Sequence, residues 1–265
     1  MIASLHQVSK VFLDARLGRG LVALNDVSLD IEEGEFLCMI GSSGCGKSTT
    51  LNLLAGFESP SRGQVLYQGE PVTGPSPQRG VVFQEYSLFP WMDVLHNVMF
   101  SIPGRFGDPE AKEKRAREYL CLVGLEEFAA SRPVDLSGGM KQRVAIARAL
   151  AMGPELLLMD EPFGSLDEQT RRKLDNEVLK LWRKEGKTVV FVTHNIDEAL
   201  TLGTRVVLMS APPGKVSQEW RIDAPWPRDL SDPGMMRIRG EMTERLQACP
   251  CTGGLQNNLI HMEGR

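Results

Sequence analysis

A run of consecutive residues close to the start of the chain has the types and spacing that bind phosphate. The run is Gly41, Ser42, Ser43, Gly44, Cys45, Gly46, Lys47, Ser48 and Thr49. Its G-x-x-x-x-G-K-[ST] spacing follows an apolar run at residues 36–40 and precedes a helical pattern, which predicts a strand, a loop and a helix. Glycines let backbone N–H groups approach a phosphate, Lys47 adds a cation, and the Ser48 hydroxyl suits Mg²⁺. The alternative is a glycine-rich turn that only starts a helix.

Two carboxylates stand at the end of a second apolar run. Residues 156–159 indicate a buried parallel strand, and Asp160 and Glu161 follow it directly. Ligands bind at the carboxyl ends of such strands, so the two acids predict a metal and a water. His194 follows the next apolar run, residues 188–192. A single histidine at a strand end is more often structural, but its strand should lie in the sheet that presents the two acids.

A third segment, Leu136-Ser137-Gly138-Gly139, precedes a helical pattern at residues 140–152. Ser137 is a suitable N-cap, and the two glycines leave the backbone bare. The segment therefore fits either a second anion-binding helix start or an ordinary capped helix. On this segment alone the ordinary capped helix is favoured.

Large apolar side chains crowd the stretch from residue 86 to residue 100. They are Tyr86, Leu88, Phe89, Pro90, Trp91, Met92, Val94, Leu95, Val98, Met99 and Phe100. Together with a charged helical pattern at residues 110–123, they predict a mainly helical insertion over about residues 86–150. The aromatic part fits a core or a partner surface, and the sequence leaves both open.

The rest of the pattern predicts a few further elements. Strands are expected at residues 2–12, 27–31, 64–67, 81–83, 205–210 and 216–222, and helices at 197–202 and 235–246. Residues 14–20 and 69–80 are expected to form loops, and the tail beyond residue 249 is expected to be disordered.

Composition excludes several classes of protein. The chain has 265 residues and a net charge of −4, so it lacks the basic excess of a nucleic-acid-binding protein. No run of about 18 apolar residues predicts a membrane span, and no signal peptide is evident, which favours the cytosol. Five irregularly spaced cysteines argue against a disulfide framework. Cys249, Cys251 and His261 suggest zinc, but a fourth ligand is not evident.

Taken together, the segments resemble the ATP-binding cassette (ABC) ATPases over about residues 2–230. The most specific motif is Leu136-Ser137-Gly138-Gly139-Met140-Lys141-Gln142-Arg143, which is similar to the family signature. The order also matches: phosphate loop, Gln84 as the Q-loop, signature, Asp160-Glu161-Pro162 as Walker B, Ser165-Leu166-Asp167 as the D-loop, and His194 as the switch histidine.

The resemblance implies an α/β fold. Its parts are a P-loop NTPase (RecA-like) core with a mostly parallel sheet, an N-terminal antiparallel β subdomain and a helical signature subdomain. An ATP-binding domain is expected over residues 1–230, with the helical subdomain at about 86–150. Residues 231–265 are expected to be a partly disordered C-terminal extension.

The resemblance also implies a role for each candidate site residue. ATP would be held by Phe12, which stacks on adenine, by the phosphate loop from Gly41 to Thr49, and by Ser137, Gly138 and Gly139 across a dimer interface. Mg²⁺ would be held by Ser48, Gln84 and Asp160. The catalytic residues would be Glu161 as general base, His194 at the γ-phosphate, Lys47 and Gln84.

Two further stretches resemble the nitrate, sulfonate and taurine importers. They are Leu88-Phe89-Pro90-Trp91 and Met209-Ser210-Ala211-Pro212-Pro213-Gly214. That subgroup implies a separate ATPase subunit on the cytoplasmic face of the inner membrane, an ATP-induced head-to-tail homodimer, a membrane permease and a solute-binding protein. The alternative is a non-transport cytosolic ABC ATPase. A phosphate-loop kinase or GTPase would not explain the signature.

Cys45 gives one more expectation. It lies near a helix N-terminus and near Lys47, which should favour its thiolate. We therefore expect maleimide to inactivate the protein and MgATP to protect it.

Overall fold

The structure is a computed structural model that describes residues 1–14, 19–164, 166–210, 212–248 and 259–261. Ser165 of the predicted D-loop, Cys249, Cys251 and most of the tail beyond residue 249 lie outside these ranges. The chain divides into two compact units, one formed by Met1–Pro75 and Val190–Arg265 and the other by Ser76–Val189. The predicted helical insertion, residues 86–150, falls within the second unit.

The strands are β1 (Ala3–Asp14), β2 (Arg19–Ile31), β3 (Phe36–Ile40), β4 (Arg62–Tyr67), β5 (Glu70–Pro71), β6 (Arg79–Val82), β7 (Leu156–Asp160), β8 (Thr188–Val192), β9 (Arg205–Met209), β10 (Val216–Arg221) and β11 (Leu259–His261). The α-helices are α1 (Lys47–Ala55), α2 (Val94–Ser101), α3 (Pro109–Leu122), α4 (Gly138–Ala151), α5 (Glu168–Glu185), α6 (Ile196–Leu202) and α7 (Pro233–Ala248). None of the helices in the described part of the chain combines the length and apolar character that a membrane crossing requires.

The first unit contains an antiparallel sheet with the strand order β11-β2-β1-β4-β5. Along β2 the buried positions alternate with solvent-facing ones near its end, where Val27, Leu29 and Ile31 point into the core. This alternation is what a sheet with one buried face requires. The predicted N-terminal antiparallel sheet is confirmed.

A second set of strands in the first unit leads to the phosphate-binding sequence. β3 is buried along its whole length and pairs in parallel with β9, with Cys38 opposite Val206. β10 then pairs antiparallel with β9. Because β3 has no polar face, it is a central strand, as the apolar run predicts.

The second unit is mostly helical. Its strands β6 and β7 pair in parallel, with Val82 opposite Met159, and α2, α3 and α4 pack against one another. Several predictions need correction. Residues 14–20 are not all loop, because β1 ends at Asp14 and β2 begins at Arg19, and residues 259–261 of the tail expected to be disordered form β11. Residues 69–80 are not all loop, because β5 and the start of β6 lie there. The helix α5, with 18 residues, was not predicted at all.

Candidate functional site

The phosphate-binding sequence forms the loop between β3 and α1. Gly41, Gly44 and Gly46 have φ angles of +155°, +78° and +94°, which side chains other than glycine rarely adopt. A Cβ at Gly41 would lie 2.6 Å from the carbonyl oxygen of Met209, and one at Gly46 would collide with the side chain of Leu24. The loop therefore needs these glycines, and the predicted strand, loop and helix are confirmed.

Helix α1 begins without a side-chain cap. Its N-cap is Gly46, whereas α2, α3, α4, α5 and α6 are each capped by a side chain. The first N–H groups of an α-helix have no partner within the helix, and no N-cap side chain accepts from those of α1, so this helix start can bind a ligand. The buried hydroxyl of Ser42 also has no hydrogen-bond partner. Both features suit an anion with several acceptor oxygens.

The side chain of Lys47 is buried and folds back over the loop. Its Nζ donates to the carbonyl oxygens of Gly41 at 2.8 Å and Ser42 at 3.0 Å. The ammonium group is thus held inside the glycine-rich turn, where a phosphate would meet it. Ser48, in the first turn of α1, is exposed, so its hydroxyl is accessible to a ligand.

The expected preference of Cys45 for the thiolate form is wrong. Its side chain is fully buried, and this burial raises the pKa of the thiol, although the nearby Lys47 ammonium opposes the shift. The Lys47 Nζ lies 3.7 Å from the Cys45 Sγ. Loss of water around the thiolate outweighs the positive charge, so the neutral thiol is favoured.

His194 lies on an exposed turn that follows β8. The backbone N–H of the preceding residue, Thr193, donates to the carbonyl oxygen of Met39 at 3.1 Å. Met39 is in β3, just before the phosphate-binding loop. The first unit therefore brings the His194 turn next to the strand that carries this loop.

Phe12 lies on β1 opposite Leu21 and is 38% exposed. The ammonium nitrogen of Lys10 lies 5.0 Å from the centre of its ring. An exposed aromatic ring is compatible with stacking on a base. The predicted role of Phe12 stays a prediction.

In the second unit, Gln84 and Asp160 lie at the carboxyl ends of two parallel strands that pair with each other. Asp160 is the last residue of β7, and Gln84 follows β6 closely, with Val82 and Met159 paired between them. Carboxyl ends of parallel strands are the usual place for ligand-binding side chains. The structure thus places Asp160 at the carboxyl end of its strand, as the sequence predicts, and brings Gln84 to the same edge.

Glu161 has an unusual backbone. Its φ angle is +44°, in the left-handed region that residues other than glycine seldom occupy. Its carbonyl oxygen accepts a hydrogen bond of 3.1 Å from the N–H of Gly164, which closes a tight turn. Such conformations persist where the surrounding structure holds them, and they are frequent at functional sites.

Helix α4 starts at the signature sequence. Ser137 is its N-cap, since the Ser137 hydroxyl accepts a hydrogen bond of 3.3 Å from the N–H of Met140. The side-chain amide of Gln142 donates to the carbonyl oxygen of Phe83 at 3.4 Å. The helix start is thereby tied to the residue before Gln84. The predicted N-cap is confirmed, and Gly138 and Gly139 occupy the first turn.

Tyr86 is a residue whose place the sequence analysis missed. A Cβ at Gly138 would lie 2.8 Å from the Tyr86 hydroxyl oxygen. The tyrosine ring therefore ends against the first turn of α4. The sequence carries a signal for this contact, because an aromatic residue follows Gln84 closely, but within the apolar stretch Tyr86 does not stand out.

The aromatic stretch is split between core and surface. Val94, Leu95 and Val98 are buried, whereas Trp91 and Phe100 are 66% and 64% exposed. The ring of Phe89 lies between the two exposed rings, with centroids 5.4 Å from Trp91 and 4.8 Å from Phe100. We call these three rings the aromatic patch. The exposure of Trp91 and Phe100 shows that these two residues are not part of the core.

The loop that carries the aromatic patch is held by a buried asparagine. Asn97 accepts a hydrogen bond of 2.8 Å from the N–H of Phe89 and donates to its carbonyl oxygen at 3.1 Å. Arg148 donates to the carbonyl oxygen of Ser87 at 2.7 Å. The exposed rings are thus presented by a fixed backbone.

Residues 24–164 match the ABC transporter family. An uncharacterized ABC transporter ATP-binding protein of Methanocaldococcus jannaschii is 46% identical over 230 residues, covering 87% of this chain and 86% of that protein. The taurine import ATP-binding protein TauB of Rhizobium johnstonii is 49% identical over 217 residues, covering 81% of this chain and 82% of that protein. The solved dimeric structure of the ATP-binding cassette MJ0796, in a post-hydrolysis state bound to ADP and Pi, matches with a TM-score of 0.76 at 36% identity, covering 84% of this chain and 100% of that one.

The glycine-rich loop and the structural likeness define a P-loop NTPase with an α/β fold. More narrowly, the chain belongs to the ABC transporter family. It is an ABC ATPase, which binds and hydrolyses ATP. The fold expected from the resemblance is confirmed.

Proposed function

We propose that this chain is the ATP-hydrolysing subunit of an importer for a small oxyanion-type solute, such as nitrate, a sulfonate or taurine. The observation that carries the ATPase part is the uncapped start of α1, bordered by glycines and by the inward-folded Lys47. The importer part is supported by the taurine import relatives. The cassette would extend over residues 1–230, and residues 231–265 would be an extension.

The phosphates of ATP are proposed to bind the loop from Gly41 to Thr49. Its N–H groups and the start of α1 would replace solvent around the anion, and Lys47 would move from the carbonyl oxygens to the phosphates. The adenine would stack on Phe12. Ser137, Gly138 and Gly139 of a second copy would complete the binding of the γ-phosphate.

Mg²⁺ fits the donor set of this chain. Ser48, Gln84 and Asp160 offer oxygen atoms, which Mg²⁺ prefers, and the Ser48 hydroxyl is exposed in the first turn of α1. No group of three or more His, Cys, Asp or Glu side chains that could hold a metal occurs among the described residues. That suits an ion which is bound by one carboxylate, waters and substrate phosphates. When bound, Mg²⁺ would neutralise charge on the phosphates.

Hydrolysis requires an oriented water, and the protein has little covalent chemistry to perform. We assign Glu161 the role of general base that polarises this water, and Gln84 the role of orienting it. His194 would contact the γ-phosphate. The strained backbone of Glu161 supports this assignment, because the structure holds that residue in a conformation it would not adopt freely.

The partners follow from the same proposal. ATP would close a head-to-tail homodimer, and hydrolysis would open it. The aromatic patch is a suitable contact for a cytoplasmic helix of the permease, since large exposed apolar groups often mark partner surfaces. The subunit would lie peripherally at the cytoplasmic face of the inner membrane. A solute-binding protein would deliver the cargo, and no nucleic acid would be involved.

The test is to purify the chain with the permease and solute-binding protein encoded beside it and to reconstitute them in lipid vesicles. We expect ATPase activity to rise when the binding protein carries its solute, and taurine, an alkanesulfonate and nitrate should be compared. Failure of any permease to co-purify would favour the alternative of a non-transport cytosolic ATPase. Stimulation by a solute without a sulfonate or nitrate group would overturn the solute class.

A further inference from the structure

We propose that Thr193 and Glu198 are positioning residues for His194. The inference rests on the proposed function, because it takes the role of His194 at the γ-phosphate as given. Both side chains are buried, with 2% and 8% of their surfaces exposed, although the turn between them is open to solvent. A buried acid beside an exposed turn needs a hydrogen-bond partner, and Thr193 provides it.

The hydroxyl of Thr193 is engaged on both sides. It hydrogen-bonds to the Oε2 of Glu198, and it accepts a hydrogen bond of 3.0 Å from the N–H of Asn195. Thr193 and Asn195 are the neighbours of His194 on either side. The pair therefore holds both ends of the one-residue segment that carries the imidazole.

The arrangement is a modified helix cap. In the usual capping box, the acid at the third helical position accepts directly from the N–H of the N-cap residue. Here Asn195 is the N-cap of α6, and its Oδ1 accepts from the N–H groups of Asp197 at 2.9 Å and Glu198 at 3.3 Å. Glu198 is the third helical residue, but it reaches the N–H of Asn195 through the Thr193 hydroxyl. The Thr193 hydroxyl thus links the Glu198 carboxylate to the N–H of Asn195, and His194 lies between these two linked residues in the chain.

The helix that carries Glu198 is itself fixed. Arg239 of α7 forms an ion pair with Asp197, in which its Nη2 donates to the Oδ2 of Asp197 at 2.8 Å. At the other end of α6, Arg228 donates to the carbonyl oxygens of Leu200 at 2.7 Å and Gly203 at 2.6 Å. These contacts hold α6 at both ends, so the Glu198 carboxylate is a fixed point for the turn.

Thr193 is also fixed from the opposite side. Its N–H donates to the carbonyl oxygen of Met39 in β3 at 3.1 Å. The turn therefore has two anchors, one on the strand that leads to the phosphate-binding loop and one on α6. Misplacing a catalytic group by about 1 Å can cost about 100-fold in rate. Loss of the α6 anchor should slow hydrolysis without removing any group that binds ATP.

The test compares Thr193→Val and Glu198→Ala with the conservative Thr193→Ser and Glu198→Gln. Steady-state ATPase activity, ATP dissociation constant and melting temperature are measured for each. We expect the first two to lower kcat about tenfold, a fraction of the loss from a full misplacement, with an unchanged dissociation constant. The conservative variants should keep most of the activity, because each retains its hydrogen-bonding atom.

Thr201→Val is the matched control. It also removes one threonine hydroxyl, in this case from α6 itself, but that hydroxyl donates to the carbonyl oxygen of Asp197 and does not reach the turn. We expect kcat to stay within about twofold of the wild type, since the loss is confined to one local hydrogen bond. Equal losses in Thr201→Val and Thr193→Val would overturn the inference.

A double variant separates positioning from general destabilisation. In a His194→Ala background, Thr193→Val should cause no further loss of kcat, because residues that act as one unit are not additive. An equal loss in both backgrounds would show a purely structural role and overturn the inference. If His194→Ala itself keeps full kcat, the proposed function of His194 fails. If His194→Ala is slow but both Thr193→Val and Glu198→Ala are not, only the positioning inference fails.

Discussion

The ammonium nitrogen of Lys47 lies 2.8 Å from the carbonyl oxygen of Gly41, at the other end of the same loop. The Lys47 ammonium group is therefore already hydrogen-bonded within the protein and is not exposed to solvent. It is stabilised by backbone dipoles, and an arriving phosphate must replace them. Because both partners sit on the loop, the exchange requires only a small movement of the lysine side chain.

Substitutions of Lys47 and Glu161 should have different effects on ATP binding and ATP hydrolysis. Lys47→Ala removes a phosphate-binding cation, so it should lose both ATP hydrolysis and ATP-induced dimerisation. Glu161→Gln keeps the size and removes the base, so it should slow hydrolysis by about 10²–10⁴-fold and leave ATP binding intact. Steady-state ATPase assays and size-exclusion chromatography with MgATP measure both effects. Near-normal turnover in Glu161→Gln would disprove its assignment as the base.

Substitution of Gly46 should lower the free energy of unfolding more than substitution of Gly69, which has a similar φ angle. Gly46 and Gly69 both have positive φ angles, +94° and +82°, but a Cβ collides with Leu24 only at Gly46, and nothing lies within 4 Å at Gly69. Each Gly→Ala change should cost about 1 kcal/mol of backbone strain. Gly46→Ala should add a steric cost of about 1–3 kcal/mol. Denaturant unfolding of both variants checks this, and equal destabilisation would contradict the role of packing.

Cys45 should react slowly with maleimide at neutral pH. Burial raises the pKa of its thiol, so the reactive thiolate is scarce at pH 7 and should increase as the pH rises above the usual cysteine range. Cys121, which is exposed, is the internal control. Labelling at each site is followed by mass spectrometry between pH 7 and about pH 10. Labelling of Cys45 as fast as Cys121 at pH 7 would contradict the burial.

Trp91→Ala should leave the isolated subunit folded and weaken its assembly with the permease. The indole is 66% exposed, so little core packing is lost. Leu95→Ala, in the same segment but buried, should instead lower stability by about 2–5 kcal/mol. Melting curves and co-purification measure the two effects. Unfolding of Trp91→Ala would favour the core interpretation that the exposure argues against.

Much of the first unit could be predicted because its signals are local. The run Phe36–Ile40 has no polar residue, and the glycines after it have the spacing of a phosphate-binding loop. Gly214 shows what the sequence could not provide. In the sequence it only belongs to a stretch that resembles importers, but in the structure it packs against Cys45, so close that a Cβ there would collide with the Cys45 carbonyl oxygen. Contacts between distant segments leave no trace in local spacing.

Two misses differ in kind. Helix α5 has clear local signals, since Asp167 caps it, Leu174 and Val178 lie on one face, and Gly186 ends it. Its charges do not hide these signals, because the charged helix α3 is predicted from the same kind of pattern, so α5 was predictable from the sequence. The error for Cys45 was one of energetics. Sequence shows which charges are near a thiol, but only the structure shows how much water surrounds it. Burial decided the direction of the pKa shift.

Because α1 has no side-chain cap, the melting temperature of the cassette should depend on bound ATP. A ligand that binds only the folded state stabilises it by RT ln(1 + [L]/Kd), about 2.7 kcal/mol at 100 times Kd. ATP bound at the first turn of α1 would therefore raise the stability of the whole folded cassette, and the cassette without ATP would lose this gain. Through the glycine-rich loop, the thermal stability of the protein should therefore rise with the concentration of ATP.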